Sequence, residues 1–343
     1  MGAIRKAGMI DMQNMLAQFC MSQLGFGPVG EIRMVSNGSG NSHNYFRDKI
    51  TEANLHVAFW KGENAMITQR NDVLLVTPES HNWYGDGGAT VTTLTWDKQS
   101  CHVLGLDVGG RGGYQRARLT NESVGVSTDV ALLTVSGATN TFKNLRIMHG
   151  AAEHDHTLLD VTGSGNSFIN MCFATPLTSA QATSTDFLPV KVSGSHNHFK
   201  NCVFGTANAV YRNAVNSLLY LSGGGQFNIF EDCIFTDIGS LTTSFFINWA
   251  STETTRPNGV FLNCQFIHAR PAASSNFVYA ITDSSHANNR LFFDNRCTFV
   301  NVNDIVATGS AAKISWGGAG ANPDTAAIAD RKQLGIAQIP VVG

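Results

Sequence analysis

One aromatic position returns through the middle of this chain at intervals that leave few folds open. Phe142, Phe168, Phe199, Phe230, Phe261 and Phe293 are separated by 26, 31, 31, 31 and 32 residues. Two positions after each stands an amide or an acid: Asn144, Asn170, Asn201, Asp232, Asn263 and Asn295. Ile147, Phe173, Phe204, Phe235, Phe266 and Phe299 close the motif. Four segments carry the full pattern, LLTVSGATNTFKNLRI from Leu132, LLDVTGSGNSFINMCF from Leu158, PVKVSGSHNHFKNCVF from Pro189 and YLSGGGQFNIFEDCIF from Tyr220. VFLNCQF from Val260 and LFFDNRCTF from Leu291 keep only its second half. A constant period of this kind builds a solenoid, in which each repeat buries its core against the next.

A period near 31 also suits helical repeats, so the pattern inside the repeat decides. Apolar residues alternate over a few positions, as at Val190, Val192 and then Phe199, between Ser-Gly or Asn punctuation. That is the signature of a half-buried strand. The parity of the alternation changes at the asparagine: Phe199 and Asn201 share one parity, Cys202 and Phe204 the other. A tight bend there needs the left-handed conformation that Asn tolerates, and its amide can bond to the same amide one coil away. A second column, Asn140, Asn166, Asn197 and Asn228, precedes the aromatic by two residues. The expected fold is therefore all-β, a single-stranded right-handed parallel β-helix of about seven coils, with like residues stacked at about 4.8 Å.

Seven cysteines without a C-x-x-C pair give neither a disulfide framework nor a zinc site. Cys202, Cys233 and Cys264 fall at one coil position and read as an inward ladder of free, inert thiols.

The ends of a solenoid need covers. Met12, Met15, Leu16 and Phe19 make one helical stripe between Asp11, placed to cap, and Gly25, placed to stop, and this short helix is expected to plug the first coil. DVLLVTP from Asp72 and HVLGL from His102 read as early core strands. The expected organisation is residues 1–64 as helix and capping region, 65–303 as β-helix and 304–343 as a C-terminal tail or docking arm.

Charge nominates no partner. With 23 Lys and Arg against 25 Asp and Glu, the net charge of −2 offers no basic footprint for nucleic acid. No apolar run reaches membrane-spanning length, and the first residues do not read as an export signal, so synthesis in a cytoplasm is expected.

The Ser/Thr-Gly turns, Asn columns and F-x-N-C-x-F coils resemble the pectate-lyase-like superfamily over residues 65 to 300. The resemblance implies the fold, which carries lyases, glycosidases, adhesins and phage tailspikes. It also implies what a catalytic member would show. The polygalacturonase-like branch uses N-T-D, paired Asp, G-H-G and R-I-K motifs. Here only Asn140-Thr141-Phe142 and Met148-His149-Gly150 come near them. A lyase needs a carboxylate cluster for calcium and an Arg or Lys base. Glu153, Asp155 and Asp160, with Arg146, are the nearest approach.

The other candidates read as structural. They are Glu153-His154-Asp155-His156 as metal ligands, His196 and His198 in a turn, Gly109 to Gly113 as a phosphate loop, and Trp83 with Tyr84 as a sugar platform. The expectation is no catalytic, cofactor-binding or metal residue and no cofactor. The function expected is a non-enzymatic bacteriophage structural protein, a capsid-associated decoration or minor capsid protein or a tail component. The alternatives are a tailspike-type lyase or glycosidase acting on bacterial surface glycans, and a β-helical adhesin. The resemblance adds a homotrimer; other virion proteins, met through the terminal segments, are the further expected partners, with a glycan as a possible ligand and no membrane.

Overall fold

The computed structural model describes residues 14–36, 49–51, 67–78, 80–83, 94–106, 117–121, 131–149, 157–174, 189–205, 217–223, 225–237, 245–251, 257–268, 279–283, 290–300, 304–306 and 314–316. Every strand pairs in parallel with the corresponding strands of neighbouring coils, in three stacked sheets. One coil runs Leu159–Val161, Ser167–Ile169, Cys172–Phe173, and the next runs Val190–Val192, His198–Lys200, Val203–Phe204. We call the sheet that carries Ser167–Ile169 sheet 1, that of Cys172–Phe173 sheet 2 and that of Leu159–Val161 sheet 3.

Among the described residues sheet 1 is eleven strands deep and the other two are eight each, rather than seven. Coils before Phe142 lack the Phe and Asn template, and a search for repeats passes over them. The solenoid also extends past the expected borders. Ile32–Ser36 and Lys49–Thr51 lie in sheet 1, and so does Ile314–Trp316, while Asp304–Val306 ends sheet 3.

The core is built of stacked rings. Phe142, Phe168, Phe199, Phe230, Phe261 and Phe293 are buried, with successive centroids 5.3, 4.6, 4.9, 4.8 and 4.7 Å apart and nearly parallel planes. A second row, Phe173, Phe204, Phe235, Phe266 and Phe299, stacks beside it. The rows meet edge-on, as Phe204 does Phe230 at 6.0 Å, the arrangement that ring quadrupoles favour.

Asn144, Asn170, Asn201, Asp232 and Asn263 all take positive φ, between 51° and 60°, and turn the chain from sheet 1 into sheet 2. Side-chain bonds link part of this column, Asn170 Nδ2 to Asn144 Oδ1 at 2.7 Å and Asn263 Nδ2 to Asp232 Oδ1. Asn295 departs from it. Phe293 and Phe299 are six residues apart, where the earlier pairs are five, so the extra residue displaces Asn295 and leaves it exposed. Asp294 accepts the bond from the Asn263 amide instead, at 2.9 Å.

Cys202, Cys233 and Cys264 face the core, and Cys297 continues the row. Each thiol donates to a carbonyl in the preceding coil, as Cys233 does to Phe199 at 3.3 Å. Burial first of all pushes the Cys233 and Cys264 thiols well above their ordinary range, which keeps them protonated and unreactive.

Between sheets 3 and 1 the coils touch through glycine. A methyl at Gly163 would overlap the carbonyl oxygen of Gly137, and one at Gly194 that of Gly163. Gly163→Ala should push two coils apart and cost about 1–3 kcal/mol, read as a lower urea midpoint.

The N-terminal helix, described over residues 14–24, does not plug the first coil. It lies against the outer face of sheet 1. Its buried face is Leu16, Cys20 and Leu24, packed on Val73, Leu75, Leu104 and Met34, whereas Met15 is 68% exposed. Val73 and Leu75 alternate with Leu74 and Val76, which face the main core, so this strand is apolar on both sides because both sides are covered. Gly25 ends the helix at φ +79° with its amide bonded to the Met21 carbonyl, and Lys143 donates to the Gln23 carbonyl at 2.6 Å. Asp11 and Met12 lie outside the described residues.

Asp72 fastens the segment after the helix. Its buried carboxylate accepts from the Glu31 and Ile67 amides and from Arg70. Burial opposes its ionisation, but these hydrogen bonds outweigh burial and hold the carboxyl below its ordinary range. Beside it, His102 is buried with Nδ1 accepting from the Thr141 amide at 3.1 Å and the Phe26 ring edge-on at 4.9 Å. Burial pushes its pKa from 6.5 down to about 4. An unfolded His102 binds a proton that the folded one refuses, so its contribution is complete above about pH 6.5 and is lost as pH falls toward 4. The urea midpoint should drop over that window, and His102→Gln should flatten the drop.

Candidate functional site

A parallel strand turns alternate residues outward, and stacking puts outward residues of successive coils in a line. On sheet 3 the inward positions are Leu133 and Val135, Leu159 and Val161, Val190 and Val192, and Leu219 and Leu221, all in the core. Between them the register aligns Thr95, Thr134, Asp160, Lys191, Tyr220 and Asn248 on the outside. Ser136, Thr162, Ser193 and Ser222 follow two residues later and are exposed or half-buried. The face thus offers a field of hydroxyl groups with one carboxyl and one ammonium at its centre.

Asp160 is the unusual member. Its Oδ2 is 3.8 Å from Lys191 Nζ, while Oδ1 is buried and accepts no hydrogen bond from a described residue. Burial lifts its carboxyl above the ordinary range, and the Lys191 charge pulls only partly the other way. A carboxyl whose pKa is lifted beside an open hydroxyl-lined face is suited to donate a proton to a leaving oxygen.

The structure does not bring Asp160 to Arg146. Arg146 lies on sheet 2, in register with Arg118 and Cys172, and Asp160 on sheet 3 faces Lys191. Glu153, His154, Asp155 and His156 lie outside the described residues, as do Gly109 to Gly113 and Tyr84. Trp83 ends the strand Ser80–Trp83 of sheet 2. His196 is exposed at a corner with φ 58°, its ring 5.5 Å from Phe227. His198 projects from sheet 1 and meets Glu231 Oε2 at 2.9 Å, and Lys200 takes the other carboxylate oxygen at 2.8 Å. The Lys200 hydrogen bond is the main reason that the Glu231 carboxyl sits below its ordinary range. Glu231 is thereby a fixed anion and poorly placed to act as an acid.

Sequence reasoning missed Lys191 and Tyr220, because neither belongs to a motif. The repeat alignment contained the signal: both occupy the position that holds Thr134 and Asp160 in the preceding coils.

No family model and no curated protein sequence matches this chain. Solved structures do. Pectin methylesterase PemA from Erwinia chrysanthemi aligns over 90% of this chain and 97% of its own, with a TM-score of 0.51 and 12% identity. Alginate lyase from Paenibacillus sp. str. FPU-7 covers 77% of this chain and 94% of its own at TM-score 0.44 and 14% identity. Geobacillus virus E2 ORF18 covers 76% and 56% at TM-score 0.46 and 10% identity. The fold is the right-handed parallel β-helix of the pectate-lyase-like kind. The expectation of a non-enzymatic chain, drawn from missing motifs, does not stand, because the fold this chain shares is that of an enzyme, the pectin methylesterase.

Proposed function

We propose that this protein is a tailspike-type, carbohydrate-active β-helix that cleaves a bacterial surface glycan on the outer face of sheet 3. The observation that carries the reading is the Asp160 carboxyl, lifted by burial and set 3.8 Å from Lys191 in the middle of a hydroxyl-lined column. In this reading the glycan lies against Thr134, Asp160, Lys191 and Tyr220. Asp160 passes its proton to the oxygen of the breaking glycosidic bond, and the carboxylate that results is stabilised by the Lys191 ammonium. Hydroxyl groups of Thr134, Thr162 and Ser193 bond to those of the sugar. Hydrolysis in the two-carboxylate manner needs a second acid across the bond, and the described part of this column holds one. Here water adds at the anomeric carbon as the bond to the leaving oxygen breaks, and its spare proton returns to the Asp160 carboxylate.

The test is incubation of the purified protein with host capsule or lipopolysaccharide, followed by sizing of the chains. Shorter chains with a new reducing end are expected, and Asp160→Asn should lower the rate about a hundredfold while leaving the thermal midpoint in place. The rate should also fall as pH rises through the elevated Asp160 pKa, since the proton donor is then lost. Glycans that stay intact across a panel of host surfaces would sink the proposal.

The same reading places the chain on a phage particle as a homotrimer, attached to other virion proteins through its terminal segments. Mass spectrometry of purified particles and sedimentation of the free protein test that placement.

A further inference from the structure

Tyr220 breaks the pattern on the outside of sheet 3. The outward row of that sheet runs Thr95, Thr134, Asp160, Lys191, Tyr220 and Asn248, one residue from each coil. The others are short or charged, and Tyr220 alone among them brings a ring. Leu219 and Leu221 on either side of it face the core, so strand alternation turns the phenol outward, where it is half-buried. The inward aromatics of this fold stack on their own kind. Tyr220 instead has Lys191 before it and Asn248 after it.

Its place in the row gives the ring a use. Tyr220 is two coils from Asp160, about 9.6 Å at a strand spacing of about 4.8 Å. A pyranose unit of an extended glycan is about as long as one such spacing, so a chain laid along the row sets one sugar over each coil. With the breaking bond at Asp160, the second sugar along lies over Tyr220. The face of a phenol ring is negative and the ring C–H bonds of a pyranose carry partial positive charge. The two attract, and water leaves both apolar surfaces. Asn248 reaches the rim of the same sugar with an amide that both donates and accepts, which suits a hydroxyl group. Trp83, the sugar platform suggested by the sequence, belongs to sheet 2 and is not in this row.

We propose that Tyr220 is a specificity-determining platform, holding the apolar face of a pyranose in the second sugar from the bond that Asp160 breaks. The proposal rests on the reading of sheet 3 as a glycan-cleaving face. Asp160 and Lys191 carry the chemistry there, and Tyr220 binds without touching the reacting atoms.

The test compares initial rates of the unaltered chain, Tyr220→Ala and Tyr220→Phe over a range of concentrations of host capsule or lipopolysaccharide. Tyr220→Ala should raise KM about tenfold, as loss of one aromatic contact would, and change kcat by less than about twofold. Tyr220→Phe should keep KM within about twofold, because the ring remains. In an Asp160→Asn background, calorimetric titration with the same glycan should show the same loss of affinity for the alanine variant. Urea unfolding checks that each variant is folded, and Tyr220→Leu, which keeps bulk without a ring, replaces an alanine variant that is not. A KM unmoved by Tyr220→Ala while the glycan is still cleaved would overturn the platform and leave the cleaving face standing. A phenylalanine variant as weak as the alanine would assign the contact to the hydroxyl, and a fall in kcat alone would place Tyr220 in the chemistry. Either overturns the proposal. Glycans left whole by the unaltered chain and unbound by Asp160→Asn would remove the cleaving face and the platform together.

Discussion

Phe199→Ala is expected to lower the free energy of unfolding by about 3–5 kcal/mol, seen as a large fall in the urea midpoint. The ring is fully buried and lies between Phe168 at 4.6 Å and Phe230 at 4.9 Å, with Phe204 tilted against it at 5.9 Å. Removing it takes one rung from the middle of a stack. The neighbours are fixed by backbone ladders on both sides and collapse little into the space, which places the loss at the upper end of the range for such truncations. Phe199→Leu keeps most of the volume and should cost less than half as much. Further along the same stack, Phe293 lies 4.7 Å from Phe261, with the Phe266 and Phe299 rings beside it. If Phe199→Leu cost as much as Phe199→Ala, this account of the loss would fail.

Asn197→Ala should be nearly as damaging, about 3 kcal/mol, although it removes a polar side chain. Asn197 is fully buried, and its Oδ1 accepts from the Asn166 amide at 2.9 Å. Its Nδ2 donates to the Gly163 carbonyl at 3.1 Å and to Asn228 Oδ1 at 3.1 Å. Alanine leaves a buried N–H and a buried C=O without partners, and each carries a desolvation penalty. Asn197→Asp separates the two halves of the role. A carboxyl can still accept from Asn166, but it faces the Gly163 oxygen and Asn228 Oδ1 with no donor unless protonated. Its folded pKa should therefore be raised, so the variant is more stable near pH 4 than at pH 7, as urea unfolding at the two values would show. Equal stability at both would mean that the donor side of the amide contributes nothing.

The ladder also shows where repeat logic stops. Asn140 passes the same bond back to the Cys101 amide, in a coil with no asparagine at that place. At the other end Gly259 is in register with Asn228, and the chain of amides closes.

Much of this was legible in the residues. The columns of Phe142 to Phe293 and of Asn144 to Asn263 could be read because a residue at a fixed coil position meets its own kind, and like on like leaves a period in the sequence. The inward cysteines were legible for the same reason. Lys191 and Tyr220 were not, because an outward position is free to vary and leaves no period. Asp160 could be picked out as a carboxylate, but its partner could not. The strand register that sets it against Lys191, and apart from Arg146, is a long-range fact.

The helix makes the same point. Its stripe was read as Met12, Met15, Leu16 and Phe19, where the buried face is Leu16, Cys20 and Leu24, since side-chain identity ranks apolar residues without saying which surface waits for them. Nor can a helix pattern tell an open solenoid end from an apolar sheet face. Sequence by itself determined the coil, its corners and its ladders, because those arise from a template repeated at short range. Tertiary structure alone decided what lies on the outside of the coil: the helix laid along sheet 1 and the Asp160 and Lys191 pair on sheet 3. Those depend on which strands stack at what register, and burial on an outer face follows from that stacking rather than from any local pattern.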